Sequence, residues 1–277
     1  MKSSLGIAGK GAVEGTFAST PISSDGTAEE IAASFREAVS GQMERAEAEG
    51  ISISTVSVVM PGPFDYKGNG VFLMKHKFAA VYGKTFREVL GDAITPETRL
   101  VFAHDVNGAL MGALMLYPEL GKGNVAISTL GTGLGFAHAI DGVVQESATG
   151  SPAVDIWNAP YNGSILEDFV SRRAILRFYA EQGGILADGE DVKEIADKAR
   201  EGHEKALEAF RQAGLHYAAG AKDVLGRLKI RHLLFAGQIA KSFDLMEKEI
   251  VEGLGGEIKV SVVDDIQGTV LTGIASL

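Results

Sequence analysis

Asp105 stands where a β-type run, Arg99 to Ala103, meets an apolar, small-residue run from Val106 to Leu116, with His104 before it and Asn107 two places on. A carboxylate there has two uses. It can cap the helix that follows, or it can act as a general base at the carboxyl end of a strand, where open α/β sheets hold ligands. Gly131-Thr132-Gly133-Leu134-Gly135 is the second chemically suggestive stretch. Closely spaced glycines let backbone N–H groups converge on an anion with no Cβ in the way, although the same residues also make a plain hairpin turn. The spacing is not that of a dinucleotide fingerprint, because the sixth position is Phe136 and a strand follows. Gly83-Lys84-Thr85 is no Walker A loop, since Phe78 holds the required upstream glycine position. Glu167 lies at the start of a helical stretch, where the dipole alone accounts for it. His203-Glu204 falls on a charged, solvated face, and neither H-E-x-x-H nor G-x-S-x-G occurs.

The elements that must position these residues follow from period and punctuation. Leu5 to Ala8, a Lys10-Gly11 turn and Ala12 to Ile22 read as a hairpin. Thr27-Ala28-Glu29-Glu30 is a capping box opening a helix with Ile31, Phe35, Ala38 and Val39 on one stripe, ending before Gly50. Ile53 to Met60 reads as a strand broken at Pro61-Gly62-Pro63, and Thr85 to Leu90 as a helix. Val106 to Leu116 predicts a helix packed closely on a sheet. Asn124 to Leu130 and Phe136 to Ile140 are strands, so the glycines between them occupy a strand-to-strand turn. Ser164 to Leu228 is mostly helical, with a charged insertion at Asp188 to Asp191. His232 to Ala236 is a strand ending at Gly237, a helix runs through Leu254, and Ile258 to Val263 is the last strand, leaving Asp264-Asp265 as a loop or helix start. Strands alternating with helices predict an α/β architecture with mixed sheets. The change of texture places a boundary at residue 104, giving a smaller lobe 1–104 and a larger one 105–277.

With 26 basic and 36 acidic residues the chain carries a net charge of −10, which repels nucleic-acid backbones unless basic residues concentrate somewhere. The densest basic stretches, Arg172-Arg173 and Arg227 to Arg231, are short and broken by apolar residues. No nucleic-acid partner is expected. Zero cysteines exclude disulfides, iron–sulfur clusters and cysteine-ligated zinc. No apolar run reaches 18 residues and no signal peptide is recognisable, so a cytoplasmic protein with no membrane partner is expected. Thirty-five of 277 residues are glycine, well above the average of about 7%, and the excess belongs in turns and ligand loops.

Taken together and in order, Val58-Val59-Met60-Pro61-Gly62-Pro63-Phe64-Asp65, His104-Asp105-Val106-Asn107-Gly108-Ala109, Leu130 to Gly135 with Asp141-Gly142, Leu166-Glu167 with Ser171, and Phe235-Ala236-Gly237 resemble the ROK family of bacterial sugar kinases and sugar-responsive repressors. That resemblance implies the two-lobed actin-like ATPase fold, ribonuclease H-like, with mixed sheets flanked by helices and with a sugar and ATP in the cleft. It implies a glucokinase-like enzyme that phosphorylates a hexose or amino-sugar hydroxyl. Asp105 matches the catalytic aspartate. Gly131, Thr132 and Gly133 match the second phosphate loop, Gly237 matches the glycine turn beside the adenosine, and Glu167 matches a glutamate on the sugar ring. His104 stands in place of an asparagine and keeps one hydrogen bond for a hydroxyl, with Asn107 beside it as a further substrate-binding residue. ATP and Mg²⁺ are the implied cofactors, the partners are a small-molecule sugar and a nucleotide, and a homodimer is implied by resemblance alone.

Three departures qualify the resemblance. The family's Asp-x-Gly-Gly-Thr loop, the first phosphate site, does not occur, and Leu5 to Ala8 and Ala12 to Ile22 align with the family's second and third strands. Either the chain starts at an internal methionine of a longer reading frame or it is a shortened member. On that reading it binds Mg²⁺–ATP poorly, turns over weakly or not at all, and leaves an open strand position and a sheet edge. Residues 146 to 163 contain neither histidine nor cysteine, which removes the family's zinc motif and its sugar-contacting histidine, so no zinc is expected. The alternative function is a non-catalytic, sugar-binding or regulatory protein of the same fold.

Overall fold

The computed structural model describes residues 1–277 and divides them into two compact units. The first takes in Met1–Leu116, Glu146–Ser151 and Gln267–Leu277; the second takes in Tyr117–Gln145 and Pro152–Ile266. The first unit therefore extends past residue 104 to include the helix that begins at Asp105.

The chain opens with an antiparallel excursion in which β1 (Lys2–Ser3) pairs with β4 (Ala18–Ser19) and, further along, β2 (Gly6–Ile7) pairs with β3 (Gly11–Ala12). Helix α1 (Ala28–Ala48) begins at the predicted capping box: the Thr27 hydroxyl accepts from Glu30 N–H while the Glu30 carboxylate accepts from Thr27 N–H. These two bonds satisfy N–H groups that a helix start otherwise leaves open. Strand β5 (Thr55–Met60), helix α2 (Phe86–Leu90), strand β6 (Arg99–His104) and helix α3 (Asp105–Leu116) follow. Thr85 and Glu88 form a second reciprocal cap at α2, which is the role of the Gly83-Lys84-Thr85 triplet. Strands β5 and β6 run parallel in register from Thr55 opposite Arg99 to Met60 opposite His104, and each pairs with no other strand.

The core of this unit is aromatic. Phe35, Phe64, Phe72, Phe78, Phe86 and Phe102 are all buried, with Phe72 stacked on Phe86 at 5.8 Å and Phe35 edge-on to Phe86 at 5.2 Å. Each such ring pair adds about 0.5–1.5 kcal/mol beyond the area it buries.

In the second unit, β7 (Asn124–Leu130), β8 (Leu134–Ile140) and β9 (Val143–Val144) form an antiparallel meander. A small hairpin of β10 (Pro160–Tyr161) and β11 (Ser164–Ile165) leads through a 3-10 turn, Leu166–Phe169, into α4 (Arg172–Glu181). Helices α5 (Val192–Arg200) and α6 (Glu204–Arg227) follow, then β12 (His232–Ala236), a 3-10 stretch Ile239–Leu245, α7 (Glu247–Leu254) and β13 (Lys259–Val262). The five-stranded sheet has the order β13-β12-β7-β8-β9, with β12 parallel to both β13 and β7. It is the mixed sheet that the alternation of elements predicts. The stretch read as helical from Ser164 to Leu228 is interrupted, because Gly183 and Gly202 turn the chain at φ +73° and +89°, a region where side chains with a Cβ are strained. The charged insertion supplies Asp191, which caps α5 in a box with Glu194.

Helix α8 (Ile266–Ile274) has no counterpart in the sequence reading beyond a possible start at Asp264-Asp265. From Gln267 on it belongs to the first unit, where its backbone meets that of α3. A Cβ on Gly112 would lie 1.8 Å from the Thr269 carbonyl oxygen, and one on Gly273 would lie 2.3 Å from the Gly108 carbonyl oxygen. The small residues of α3 thus serve a helix–helix contact as well as the sheet, where Gly108 comes up against Val59 of β5. No helix is long and apolar enough to cross a membrane.

Candidate functional site

In the first unit the chemistry gathers at the carboxyl ends of β5 and β6. Parallel pairing brings Met60 and His104 side by side, so the Pro61-Gly62-Pro63 turn, with a cis Gly62–Pro63 bond, lies beside His104-Asp105. A Cβ on Gly62 would stand 3.5 Å from both His104 Nε2 and the Tyr66 hydroxyl. Tyr66 donates to the Met60 carbonyl at 2.9 Å and its ring lies 5.6 Å from that of His104. Burial, then the charge of Asp105, push the Tyr66 hydroxyl far above its ordinary value, so it stays protonated.

Asp105 is the first residue of α3. Its Oδ1 accepts from Val106 N–H at 2.7 Å and lies 2.8 Å from His104 Nδ1. The carboxylate holds an N-terminal position, but its side chain remains 54% exposed while His104 is 19% exposed. It is therefore both seated at the helix start and open to solvent. Asn107 is placed differently. It is fully buried, its Nδ2 donates to Glu146 Oε1 at 3.3 Å and to the Gly150 carbonyl at 3.2 Å, and its Oδ1 has no partner. Glu146 in turn pairs with Lys67, and a Cβ on Gly150 would lie 2.7 Å from that of Tyr66. Asn107 thus fastens the 146–151 segment to α3 beside the open carboxylate.

In the second unit the predicted turn joins β7 to β8. Gly131 N–H donates to the Gly133 carbonyl at 3.0 Å, and Arg172 N–H donates to the Gly131 carbonyl at 2.8 Å. Leu134 N–H donates to Glu167 Oε2 at 2.9 Å. The Thr132 and Gly133 amides have no such partner, and a Cβ on Gly131 would meet nothing within 4 Å. Two free, adjacent N–H groups on an open glycine turn suit anionic oxygens. Gly237, at φ +97°, ends β12 beside the end of β7, where a Cβ would come within 2.4 Å of the Leu130 carbonyl oxygen. Parallel pairing of β7 and β12 places the glycine turn and Gly237 at the same, carboxyl end of the sheet, where open α/β sheets bind ligands.

In the second unit the structure brings Glu167 and Gly237 to the Gly131–Gly133 turn from distant parts of the sequence; in the first, His104, Asp105 and Asn107 are sequence neighbours, of which Asp105 faces solvent and Asn107 is buried. His203 precedes α6 on an exposed surface, apart from these groups. Sequence reasoning missed Tyr66, Lys67 and Glu146. Tyr66 and Lys67 directly follow the Pro61-to-Asp65 motif, which is a usable signal, whereas nothing in the spacing marks Glu146. The residues present do not make a metal cage: no group of three or more His, Asp or Glu side chains gathers anywhere, and Glu167, the carboxylate bound to the turn, is engaged by Leu134 N–H and Arg173.

The ROK family model matches residues 18–269. Among solved structures, the ROK family glucokinase from Streptomyces griseus in complex with glucose and AMPPNP superposes with a TM-score of 0.73 at 20% identity, covering 98% of this chain and 97% of that one. The ROK hexokinase from Thermus thermophilus gives 0.69 at 21% identity, over 100% and 97%. A ROK family transcriptional regulator, a homolog of the E. coli MLC protein, gives 0.70 at 17% identity, over 90% and 68%. An acetate kinase from Chromobacterium violaceum is 25% identical over 187 residues, which are 63% of this chain and 43% of that protein's length.

Proposed function

This chain belongs to the ROK family and has its two-lobed actin-like ATPase fold, and from that premise we propose that it transfers the γ-phosphoryl group of ATP to a hydroxyl of a hexose or amino sugar, with Asp105 as general base. The observation that carries this reading is the Asp105 carboxylate, 54% exposed at the end of β6 and oriented by Val106 N–H and His104. A carboxylate that is oriented yet open can take a proton; one spent in a buried ion pair cannot.

As the sugar oxygen attacks the γ-phosphorus, its proton passes to Asp105, the bond from phosphorus to the β–γ bridging oxygen breaks, and ADP leaves. Phosphoryl transfer asks mainly for alignment and for donors on the phosphate oxygens. The free Thr132 and Gly133 amides supply such donors, and Gly237 keeps the neighbouring strand end clear of side chain. A magnesium ion carried in with the nucleotide would neutralise phosphate charge; these residues offer it no protein cage. His104 Nδ1 faces Asp105 Oδ1 at 2.8 Å and Val106 N–H at 3.4 Å, which leaves Nε2 as the ring nitrogen for a hydrogen bond with a sugar hydroxyl. Asn107, being buried, serves by holding the 146–151 segment.

The test is ADP release with glucose and with N-acetylmannosamine. Asp105→Asn should lower turnover by about 10²- to 10⁴-fold, the usual worth of a general base, with folding intact. Turnover unchanged in that variant rejects Asp105 as the base. A second reading, sugar binding without phosphoryl transfer, is supported by the lack of any gathered acidic ligand set for a metal and by the fold shared with a family regulator. Calorimetric binding of a sugar with no ADP release favours it.

A further inference from the structure

Each oxygen of the Glu167 carboxylate has a partner inside its own unit. Oε2 accepts from Leu134 N–H at 2.9 Å, Oε1 lies 3.2 Å from Arg173 Nη2, and the side chain is 19% exposed. Its backbone is held as firmly: Glu167 N–H donates to the Trp157 carbonyl at 3.0 Å and the Glu167 carbonyl accepts from Ser171 N–H at 3.1 Å. From these contacts we propose that Glu167 is a positioning residue for the Gly131–Gly135 turn, acting on the turn's amides.

Three bonds pin the turn. Glu167 takes its far side at Leu134, Arg172 N–H takes its near side at the Gly131 carbonyl, and the Gly131 amide closes on the Gly133 carbonyl. What remains outward is the Thr132–Gly133 pair of N–H groups. The glycine is matched to the carboxylate, because a Cβ at position 133 would lie 2.6 Å from Glu167 Oε2. A charge-assisted bond is about twice as strong as a neutral one, so a carboxylate is an effective anchor for a turn amide. A bare negative charge under a phosphate-binding turn would repel the ligand it serves. Arg173, within 3.2 Å of Glu167 and 3.5 Å of Asp168, offsets that charge and gives the arginine a reason to stand there.

The ligand consequence rests on the kinase reading above; the anchoring of the turn does not. Hydrogen exchange of the peptide spanning residues 130 to 136 reads the anchor directly. Glu167→Ala should speed exchange there by about tenfold or more, as expected for loss of a hydrogen bond to a charged group, while Glu167→Gln, which keeps an acceptor oxygen for Leu134 N–H but loses the charge, should fall between the two. Gly133→Ala, which drives a methyl against the same oxygen, should loosen the turn with the carboxylate still present. In titrations of Glu167→Ala with AMPPNP, the nucleotide Kd should rise about tenfold. Unaltered exchange in both Glu167→Ala and Gly133→Ala overturns the proposal. Should the wild-type protein bind AMPPNP and Glu167→Ala bind it equally well, the ligand consequence is overturned; should the wild-type protein not bind it, the kinase reading fails, and the exchange measurement still decides the anchor.

Discussion

Replacing Gly112 by alanine sets helix propensity against packing. Inside a helix, alanine is favoured over glycine by about 1 kcal/mol, so the residue types alone predict stabilisation. In the folded protein the new Cβ would lie 1.8 Å from the Thr269 carbonyl oxygen and 3.0 Å from the Thr269 side chain. That neighbour is backbone of α8, which cannot rotate aside, so α3 and α8 must part by more than 1 Å or bend. Overpacking against rigid surroundings costs about 1–3 kcal/mol, and a backbone contact this short belongs at the upper end. Subtracting the propensity gain leaves a net loss of about 2 kcal/mol, which lowers the unfolding midpoint of the first unit by roughly 4–8 °C. The matched control is Gly41→Ala in α1, where a Cβ meets nothing within 4 Å; it should gain up to about 1 kcal/mol. Thermal and urea unfolding of the two variants, followed by circular dichroism, measure the difference. A Gly112→Ala protein as stable as wild type refutes the α3–α8 contact as argued.

Gly237→Ala asks an L side chain to adopt φ +97° and to sit 2.4 Å from the Leu130 carbonyl oxygen; the left-handed conformation costs about 1–2 kcal/mol and the overlap about 1–3 more, readable as a lower urea midpoint. His138 is 3% exposed and burial holds its pKa below the ordinary value. The unfolded chain therefore takes up that proton first, and stability is lost as pH falls below about 6.5 toward the lower folded value, with a slope approaching 1.4 kcal/mol per pH unit from this group. His138→Gln should flatten that part of a stability–pH profile, and an unchanged slope would count against a neutral buried histidine. Thr27→Ala removes the hydroxyl of the α1 cap and should cost about 1 kcal/mol in the same unfolding assay. Asn107→Ala leaves the Gly150 carbonyl and Glu146 short of a donor, for about 1–3 kcal/mol, and should raise hydrogen exchange across residues 146 to 151.

Much of the fold was legible because its signals are local. The Thr27–Glu30 box, the break at Pro61 and the glycines between β7 and β8 each act through neighbours within four residues, and the structure places an element boundary at every one. The stretch from Ser164 to Leu228 is mostly helical, as read, with the charged insertion falling between α4 and α5; the turns at Gly183 and Gly202 divide it into three helices. Helix α8 went unread because Ile266–Ile274 is apolar and small on most sides, so it shows little one-sided period; its partner, α3, lies more than 150 residues earlier in the sequence.

The candidate site divides along the same line. Residue type and position alone draw attention to Asp105 and to Gly131 to Gly133, since a carboxylate at a strand end and glycines at a turn are local patterns with local causes; Glu167 and Gly237 join them only through the order of motifs shared with the family. The burial of Asn107, the exposure of Asp105 beside His104 and the grip of Glu167 on Leu134 N–H are decided only by tertiary structure. Whether a carboxylate is free to take a proton or already spent on a neighbouring donor depends on which atoms stand within hydrogen-bonding distance of it. Those atoms come from segments 33 residues apart for Glu167 and Leu134, and 39 apart for Asn107 and Glu146, distances over which sequence spacing carries no geometric information.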